Sequence, residues 1–138
     1  MDILLVVACA LVDEDRRVLI AKRSNNKSSA GKWEFPGGKI EKNETPEEAL
    51  IRELDEELDI KTQEACLAPL TFSSYSYENF HLLMPFYVCR KWQGQPRLQK
   101  QTDLIAHQEL KWIKPRDLHK FEMLKADIPL IAHLCDLL

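Results

Sequence analysis

Apolar residues form two runs near the start of the chain, and a short charged segment separates them. Residues 3–12 are rich in Val, Leu and Ile and end at charged residues 13–16, which is typical of a buried strand followed by a turn. Residues 17–23 resume the apolar pattern at a spacing that suits a hairpin partner. The pattern therefore predicts that the chain opens with two paired β-strands.

A helix is predicted to begin at Thr45 and Pro46. Proline is favoured at the first helical position, and Thr45 and Glu48 have the spacing of a capping box. The apolar residues that follow fall within an arc of about 100° on a helical wheel. They are Leu50, Ile51, Leu54 and Leu58. We expect this face to pack on a sheet.

The second half of the chain is predicted to add strands and a closing helix. Residues 82–88 form the clearest strand, and Pro85 within it indicates a sheet edge or a bulge. Residues 110–113 are a short last strand, and Asp127 precedes a helix over residues 128–138. Strands mixed with two helices in no regular alternation predict an α/β fold, with helices covering the faces of a sheet.

Composition favours one globular domain over all 138 residues, because 45% are hydrophobic and 30% are charged. The formal net charge of −3 offers no positive field for a nucleic-acid polymer. The longest apolar run is about half a membrane span, and the four cysteines are too far apart for zinc or redox motifs. We therefore expect no membrane segment, free thiols and a cytoplasmic protein.

Charge is concentrated in residues 41–59, which hold nine acids and two bases, so that 2 − 9 = −7. Glu53, Glu56 and Glu57 share one edge of the predicted helix, near the end where the helix dipole is already negative. Like charges so placed repel each other. Two interpretations stay open: a solvated acidic face, and a site for Mg²⁺ or Mn²⁺.

A glycine-containing loop lies just before this helix. Its segment, residues 33–39, contains a stiff proline, and Gly37 and Gly38 allow the backbone to approach a ligand closely. Lys39 is able to meet a phosphate. The loop and the acidic edge together favour the site over the solvated face.

Gly38, Glu44 and residues 52–60, at their observed spacing, resemble the Nudix box, the signature of the Nudix hydrolases. Only Asp59 departs from the pattern, which has glycine there. That position needs a left-handed backbone, which Asp tolerates at about 1 kcal/mol, so we expect the metal site to survive. Three further segments resemble the MutT-type branch, whose members cleave oxidised guanine nucleotides such as 8-oxo-dGTP. They are residues 19–23, 31–39 and 126–131.

The resemblance implies a Nudix-type α/β/α sandwich with a mixed sheet between helices. It also implies a hydrolase that uses Mg²⁺ or Mn²⁺ and releases a nucleoside monophosphate and pyrophosphate. The implied metal contacts are the carboxylates of Glu53, Glu56 and Glu57 and backbone carbonyls at Gly37 and Gly38. Arg52 is implied to hold the acids in place, and Glu44 to support that arrangement.

Each residue that is predicted to contact the substrate also has an alternative interpretation. Arg23 and Lys39 contact phosphate or base, or are ordinary surface cations. Asp127 stands where MutT-type enzymes commonly have an Asn that reads the purine; otherwise it caps the last helix. When ionised, it accepts hydrogen bonds from guanine, from the N7–H of 8-oxoguanine or from cytosine N4. Four aromatic residues are candidates to stack on the base, with core packing as the alternative: Phe35, Tyr75, Tyr77 and Phe80. A pocket role is favoured for Phe35, and sheet packing for the other three.

A further acid often assists MutT-type enzymes shortly before the final strand. Ala106 stands at that position, which leaves Asp103 or Glu109 as substitutes. The ordinary pKa range of an imidazole makes His107 a candidate general base, and the alternative is a solvated loop histidine.

The resulting expectation is a Mg²⁺- or Mn²⁺-dependent nucleoside triphosphate pyrophosphohydrolase acting on 8-oxo-dGTP. Its partner is then the nucleotide, with no nucleic-acid polymer and no membrane. Alternatives are cleavage of CTP or of ADP-ribose, a silent nucleotide-binding module, and an acidic adaptor that binds no divalent cation.

Overall fold

The computed structural model describes residues 1–25, 28–99 and 107–138. These ranges contain seven strands and two α-helices, together with 3-10 turns at Glu64–Cys66 and Pro115–Lys120. In chain order they are β1 (Asp2–Leu11), β2 (Val18–Arg23), β3 (Trp33–Glu34), β4 (Gly37–Lys39), α1 (Pro46–Leu58), β5 (Leu67–Ser76), β6 (Phe80–Cys89), β7 (His107–Ile113) and α2 (Ile128–Leu137).

The strands form two sheets. One has the order β4-β1-β6-β5 and is mixed, because β1 and β6 run parallel; the other is antiparallel with the order β3-β2-β7. The predicted hairpin of the first two strands is wrong: a single bridge between Val12 and Val18 joins them. Strand β1 pairs with β4 over residues 6–8 on one side and with β6 on the other, whereas β2 pairs with β3 and β7 in the second sheet.

Of the two alternatives predicted from Pro85, a sheet edge is wrong, because β6 lies between β1 and β5, and the irregular pairing beside it agrees with a bulge. Proline has no N–H to donate to a ladder. The β1–β6 pairs accordingly pass from Leu5–Leu83 directly to Ala8–Phe86. On the other side, β5 shifts its register close by, between residues 69 and 71. Irregular pairing on both sides therefore accommodates the proline.

Both helices form where they were predicted, and they cover opposite faces of the sheets. Thr45 and Glu48 make the reciprocal bonds of the capping box at the start of α1. The buried residues of α1 are Ala49, Leu50, Leu54 and Leu58, whereas Ile51 is only partly buried. Helix α2 buries Leu130 and Leu134 in a hydrophobic core that is separate from the core covered by α1. The result is the expected α/β/α sandwich. No helix in the described residues has the length and apolar character needed to span a bilayer.

The segment before α2 is held along β3, and this brings two distant parts of the chain together. The Trp33 N–H donates to the Glu122 carbonyl and the Leu124 N–H to the Trp33 carbonyl, both at 2.9 Å. The Ser73 hydroxyl donates to the Ala126 carbonyl at 2.6 Å. Asp127, the next residue, is thereby placed beside the loop between β3 and β4.

Candidate active site

Arg52 is the centre of the acidic edge of α1. Its guanidinium donates two hydrogen bonds to the carboxylate of Glu44, at 2.7 and 3.0 Å. One nitrogen, Nη1, also donates to Glu53 at 2.8 Å and to Glu56 at 3.3 Å. Nη2 donates to the Lys39 carbonyl at 3.1 Å. Arg52 therefore joins three acids and the end of β4, which agrees with the holding role that the Nudix box implies for it.

Glu44 and Arg52 each stabilise the charged form of the other. Hydrogen bonds from the Arg52 guanidinium and from the Glu41 N–H lower the pKa of Glu44 to about 2. Hydrogen bonding to Glu44 in turn raises the pKa of Arg52 well above its ordinary value. Both members of the pair are consequently charged near neutral pH, so Arg52 can donate to Glu53 and Glu56 there.

The two glycines of β4 sit where a side chain has no room. A Cβ built on Gly38 lies 2.6 Å from both carboxylate oxygens of Glu53, and one on Gly37 lies 2.7 Å from the Cα of Ala8. Contacts this short force the neighbour to move. Glycine is needed at residue 37 because the β1 backbone lies against it, and at residue 38 because the Glu53 carboxylate does. The approach of this backbone to a ligand stays a prediction.

The acids fit a divalent cation by their chemistry, although the site is not preformed. Across residues 1–25, 28–99 and 107–138, no three Asp, Glu, His or Cys side chains are grouped closely enough to hold a metal ion. Glu53 and Glu56 instead share the Arg52 Nη1 atom. Since these are all-oxygen donors that already converge on one cationic atom, they suit Mg²⁺ or Mn²⁺.

Repulsion at the end of α1 is relieved in part by bases that lie outside the helix. The last turn of α1 itself contains no basic residue. Asp55 pairs with Lys61, and Asp59 pairs with Arg97 at 2.7 Å. Asp59 has the predicted left-handed backbone, with φ 56° and ψ 39°. The sequence reasoning missed Arg97, because a base almost forty positions away gives no local signal.

Asp127 occupies the opposite end of the site and is only 4% exposed. Its Oδ2 accepts a hydrogen bond from the Phe35 N–H at 3.1 Å, and its side chain makes no capping bond to α2. Burial, and after it the negative charge of Glu34, raises its pKa to about 8. The expectation of an ionised acceptor is therefore corrected: near neutral pH this carboxyl is mostly protonated, and it can both donate and accept.

Glu34 is a site residue that the sequence reasoning missed. Its Oε2 accepts a hydrogen bond from Arg23 Nη1 at 2.8 Å and contacts His107 Nε2 at 2.7 Å. His107 is 8% exposed and begins β7, so the solvated-loop interpretation is wrong. Arg23 also donates from Nε to the Ser28 carbonyl at 2.7 Å. A charged residue between the apolar Trp33 and Phe35 was the available signal.

The aromatic residues divide between core and surface. Phe35 is 2% exposed, and its ring packs on Phe86 with centroids 5.1 Å apart, so the predicted stacking of Phe35 on a base does not fit its position. Tyr77 and Phe80 stack with centroids 4.9 Å apart, and Tyr77 is 37% exposed. Burial and then the charge of Asp127 raise the pKa of Tyr77. Tyr77 and Phe80 therefore form an aromatic pair close to Asp127.

The remaining candidates are less informative. Lys39 is exposed at the end of β4, and Glu109 is half-exposed and pairs with Lys111 at 3.6 Å on the surface of β7. Asp103 and Ala106 lie outside the described residues.

The chain is similar to known proteins over most of its length. The NUDIX domain matches residues 3–134. The 8-oxo-dGTP diphosphatase of Proteus vulgaris is 35% identical over 102 residues, which are 74% of this chain and 89% of that protein. The CTP pyrophosphohydrolase of Escherichia coli K12 is 32% identical over 125 residues, or 91% and 87%. The crystal structure of a MutT NUDIX hydrolase from Burkholderia pseudomallei has a TM-score of 0.83 at 27% identity and covers 96% of this chain and 98% of that one.

The NUDIX match and the 8-oxo-dGTP diphosphatase relatives, on an α/β/α sandwich, identify the class of protein: a hydrolase of phosphoric anhydride bonds. The chain belongs to the Nudix family and is a Nudix pyrophosphohydrolase. This membership confirms the family and the fold that the Nudix-box resemblance implied.

Proposed function

We propose that this Nudix hydrolase is a Mg²⁺- or Mn²⁺-dependent nucleoside triphosphate pyrophosphohydrolase that converts 8-oxo-dGTP to the monophosphate and pyrophosphate. Its cellular role is then to remove damaged guanine nucleotides before they enter DNA. Relatives named as 8-oxo-dGTP diphosphatases support the proposal, at 35% and 38% identity. The observation that carries the choice of substrate is the buried, mostly protonated carboxyl of Asp127.

At the acidic edge, Glu53, Glu56 and Glu57 are the residues that hold the divalent cation in this proposal. The bound cation supplies charge neutralisation on the polyphosphate and a lower pKa for the attacking water. Arg52 keeps Glu53 and Glu56 facing the same side, and the absence of a side chain at Gly38 lets the β4 backbone approach Glu53. Lys39, at the exposed end of β4, adds positive charge for the phosphates.

The residues around Asp127, here called the base end, bind the base in this proposal. There, a protonated Asp127 offers one donor and one acceptor side by side. The edge of guanine that carries O6 and N7 presents two acceptors, whereas oxidation to 8-oxoguanine turns N7 into an N–H donor beside the O6 acceptor. On that edge the carboxyl matches the oxidised base and mismatches the normal one, whereas the N1–H and O6 of the opposite edge offer the same donor and acceptor in both bases. The proposal therefore requires that Asp127 reads the O6 and N7 edge. Tyr77 and Phe80 provide the stacking surface.

A substrate panel tests the proposal. Monophosphate release from 8-oxo-dGTP, dGTP, CTP and ADP-ribose is followed by chromatography at equal Mg²⁺ concentration. We expect kcat/KM for 8-oxo-dGTP to exceed that for dGTP by about tenfold or more, which corresponds to one well-placed hydrogen bond. Near-equal rates on all four nucleotides would contradict a role in sanitation. The Glu57→Gln variant, purified in parallel, controls for contaminating phosphatases.

CTP is the second candidate, and one observation favours it specifically. Cytosine also presents a donor and an acceptor side by side, at N4 and N3, so it satisfies the same protonated carboxyl. The similarity to a CTP pyrophosphohydrolase extends over 91% of the chain. A larger kcat/KM for CTP than for 8-oxo-dGTP in the panel would select this alternative.

A further inference from the structure

Residues 97–99, here called the strap, lie across the C-terminal end of α1. The strap donates four hydrogen bonds to carbonyls of the helix end. They are Arg97 N to Leu58 O at 3.0 Å, Gln99 N to Glu57 O at 3.1 Å, Gln99 Nε2 to Asp55 O at 2.7 Å and Gln99 Nε2 to Glu56 O at 3.3 Å. A segment distant in sequence thus supplies the donors that the end of the helix lacks.

These bonds matter because the last carbonyls of a helix have no partner within it and carry partial negative charge. A basic side chain in the last turn ordinarily offsets that charge, and α1 has none. Its last turn instead carries Glu56 and Glu57. The Asp59 N–H donates to the Asp55 carbonyl at 3.1 Å, whereas the bonds that the strap donates to the carbonyls of residues 56–58 come from outside the helix. The strap is therefore an external cap on an acidic helix end.

Within the strap, Gln99 is a better anchor than Arg97. The Arg97 side chain is 71% exposed and pairs with Asp59, and exposed ion pairs contribute little. Gln99 is partly buried and bonds through both its backbone and its amide. Its three bonds reach the carbonyls of three consecutive residues, Asp55, Glu56 and Glu57, two of which are predicted metal ligands.

We propose that Gln99 is a positioning residue for the cation site: by bonding the carbonyls of residues 55–57, it fixes the turn from which the Glu56 and Glu57 side chains extend. The inference rests on the proposed metal-dependent function. It concerns a residue outside the Nudix box, which acts on the acids through the backbone and does not touch the substrate.

The test measures Mn²⁺ binding by the nucleotide-free protein. Electron paramagnetic resonance detects the free Mn²⁺, at a temperature where every variant is folded. Gln99→Met keeps the length of the side chain and removes its donors. We expect its Mn²⁺ dissociation constant to rise about tenfold, as for residues that orient metal ligands. The matched control is Gln95→Met, the same change at an exposed residue of the preceding turn. We expect the control to bind like the unaltered protein.

Gln99→Asn provides a second variant if Gln99→Met fails to fold, since its shorter amide no longer reaches both carbonyls. A dissociation constant within twofold of the unaltered protein in the folded variant would overturn the inference, even if the melting temperature fell, because that pattern indicates a purely structural cap. Absence of Mn²⁺ binding by the unaltered protein would instead refute the proposed function. The two failures are therefore distinguishable.

Discussion

The two ends of the site are built in opposite ways. The acidic edge, which is Glu53, Glu56 and Glu57, lies on one helix, and Arg52 bonds Glu53, Glu56 and the Glu44 of the preceding loop. The end where we propose that the base binds includes Arg23, Glu34, His107 and Asp127, from four separate segments, and burial raises the pKa of Asp127 to about 8. The first end depends on local helical spacing and charge. The second depends on sheet pairing and burial.

The largest expected effect is the loss of an acid from the acidic edge. Glu57→Gln keeps the size of the side chain but removes its charge, so we expect kcat to fall about 100-fold or more with an unchanged fold. Steady-state kinetics with Mg²⁺ and a circular dichroism spectrum measure the two quantities. Glu14→Gln, an exposed acid in the first turn, serves as the control. Unaltered turnover in the Glu57 variant would refute the assignment of the metal site.

Removing the centre of the acidic edge is expected to have the next largest effect. Arg52→Gln withdraws the cation shared by Glu44, Glu53 and Glu56, and the repelling acids then separate. We expect kcat to fall about 10- to 100-fold. Arg116→Gln, at an exposed arginine, makes the same change elsewhere. If both variants kept full activity, the holding role of Arg52 would be wrong.

At the base end, the effect is expected to depend on pH. Asp127 has an ordinary pKa of 3.8 and a folded pKa of about 8. Between these values the unfolded chain releases a proton that the folded protein keeps, so stability falls as pH rises through this window and levels off above it. Asp127→Asn removes that dependence.

The melting temperatures of the two proteins therefore shift relative to each other, in favour of the Asn variant, as pH rises from 4 to 8. We expect the difference between the two melting temperatures to change by about 3 °C or more over this range. Scanning calorimetry measures both melting temperatures. A constant difference across that range would show that Asp127 titrates normally.

The smallest effect is expected where this chain departs from the family pattern. Asp59→Gly relieves a left-handed residue, which costs about 1 kcal/mol, but it also removes the exposed pair with Arg97, worth about 0.2–1 kcal/mol. We therefore expect the free energy of unfolding to change by less than about 0.5 kcal/mol and activity to be retained. Urea denaturation measures this directly. A loss of several kcal/mol would mean that the ion pair is essential.

The positions of residues in the acidic edge could be predicted from the sequence, because that edge lies on a single helix. Helical geometry fixes the relative placement of Glu53, Glu56 and Glu57, so spacing alone located the acidic edge. The burial of α1 was predictable for the same reason. Arg52 followed from the Nudix-box resemblance, because that pattern covers one continuous segment.

The base end was not predictable in the same way. Glu34 contacts His107 because β2 pairs with both β3 and β7. The predicted hairpin between the first two strands was wrong, so this contact could not be inferred. Asp127 reaches the Phe35 N–H because the preceding residues run along β3. The Gln99 cap depends on contact between residues forty positions apart. Such contacts are set by tertiary packing, for which local patterns carry no signal.

The central claim, that the acidic edge binds a divalent cation, is tested most directly by titrating the nucleotide-free protein with Mn²⁺. The signal of free Mn²⁺ in electron paramagnetic resonance is expected to be suppressed by the unaltered protein and restored when Glu53 and Glu57 are both changed to Gln. Equal suppression by the two proteins would place the cation elsewhere and contradict the account.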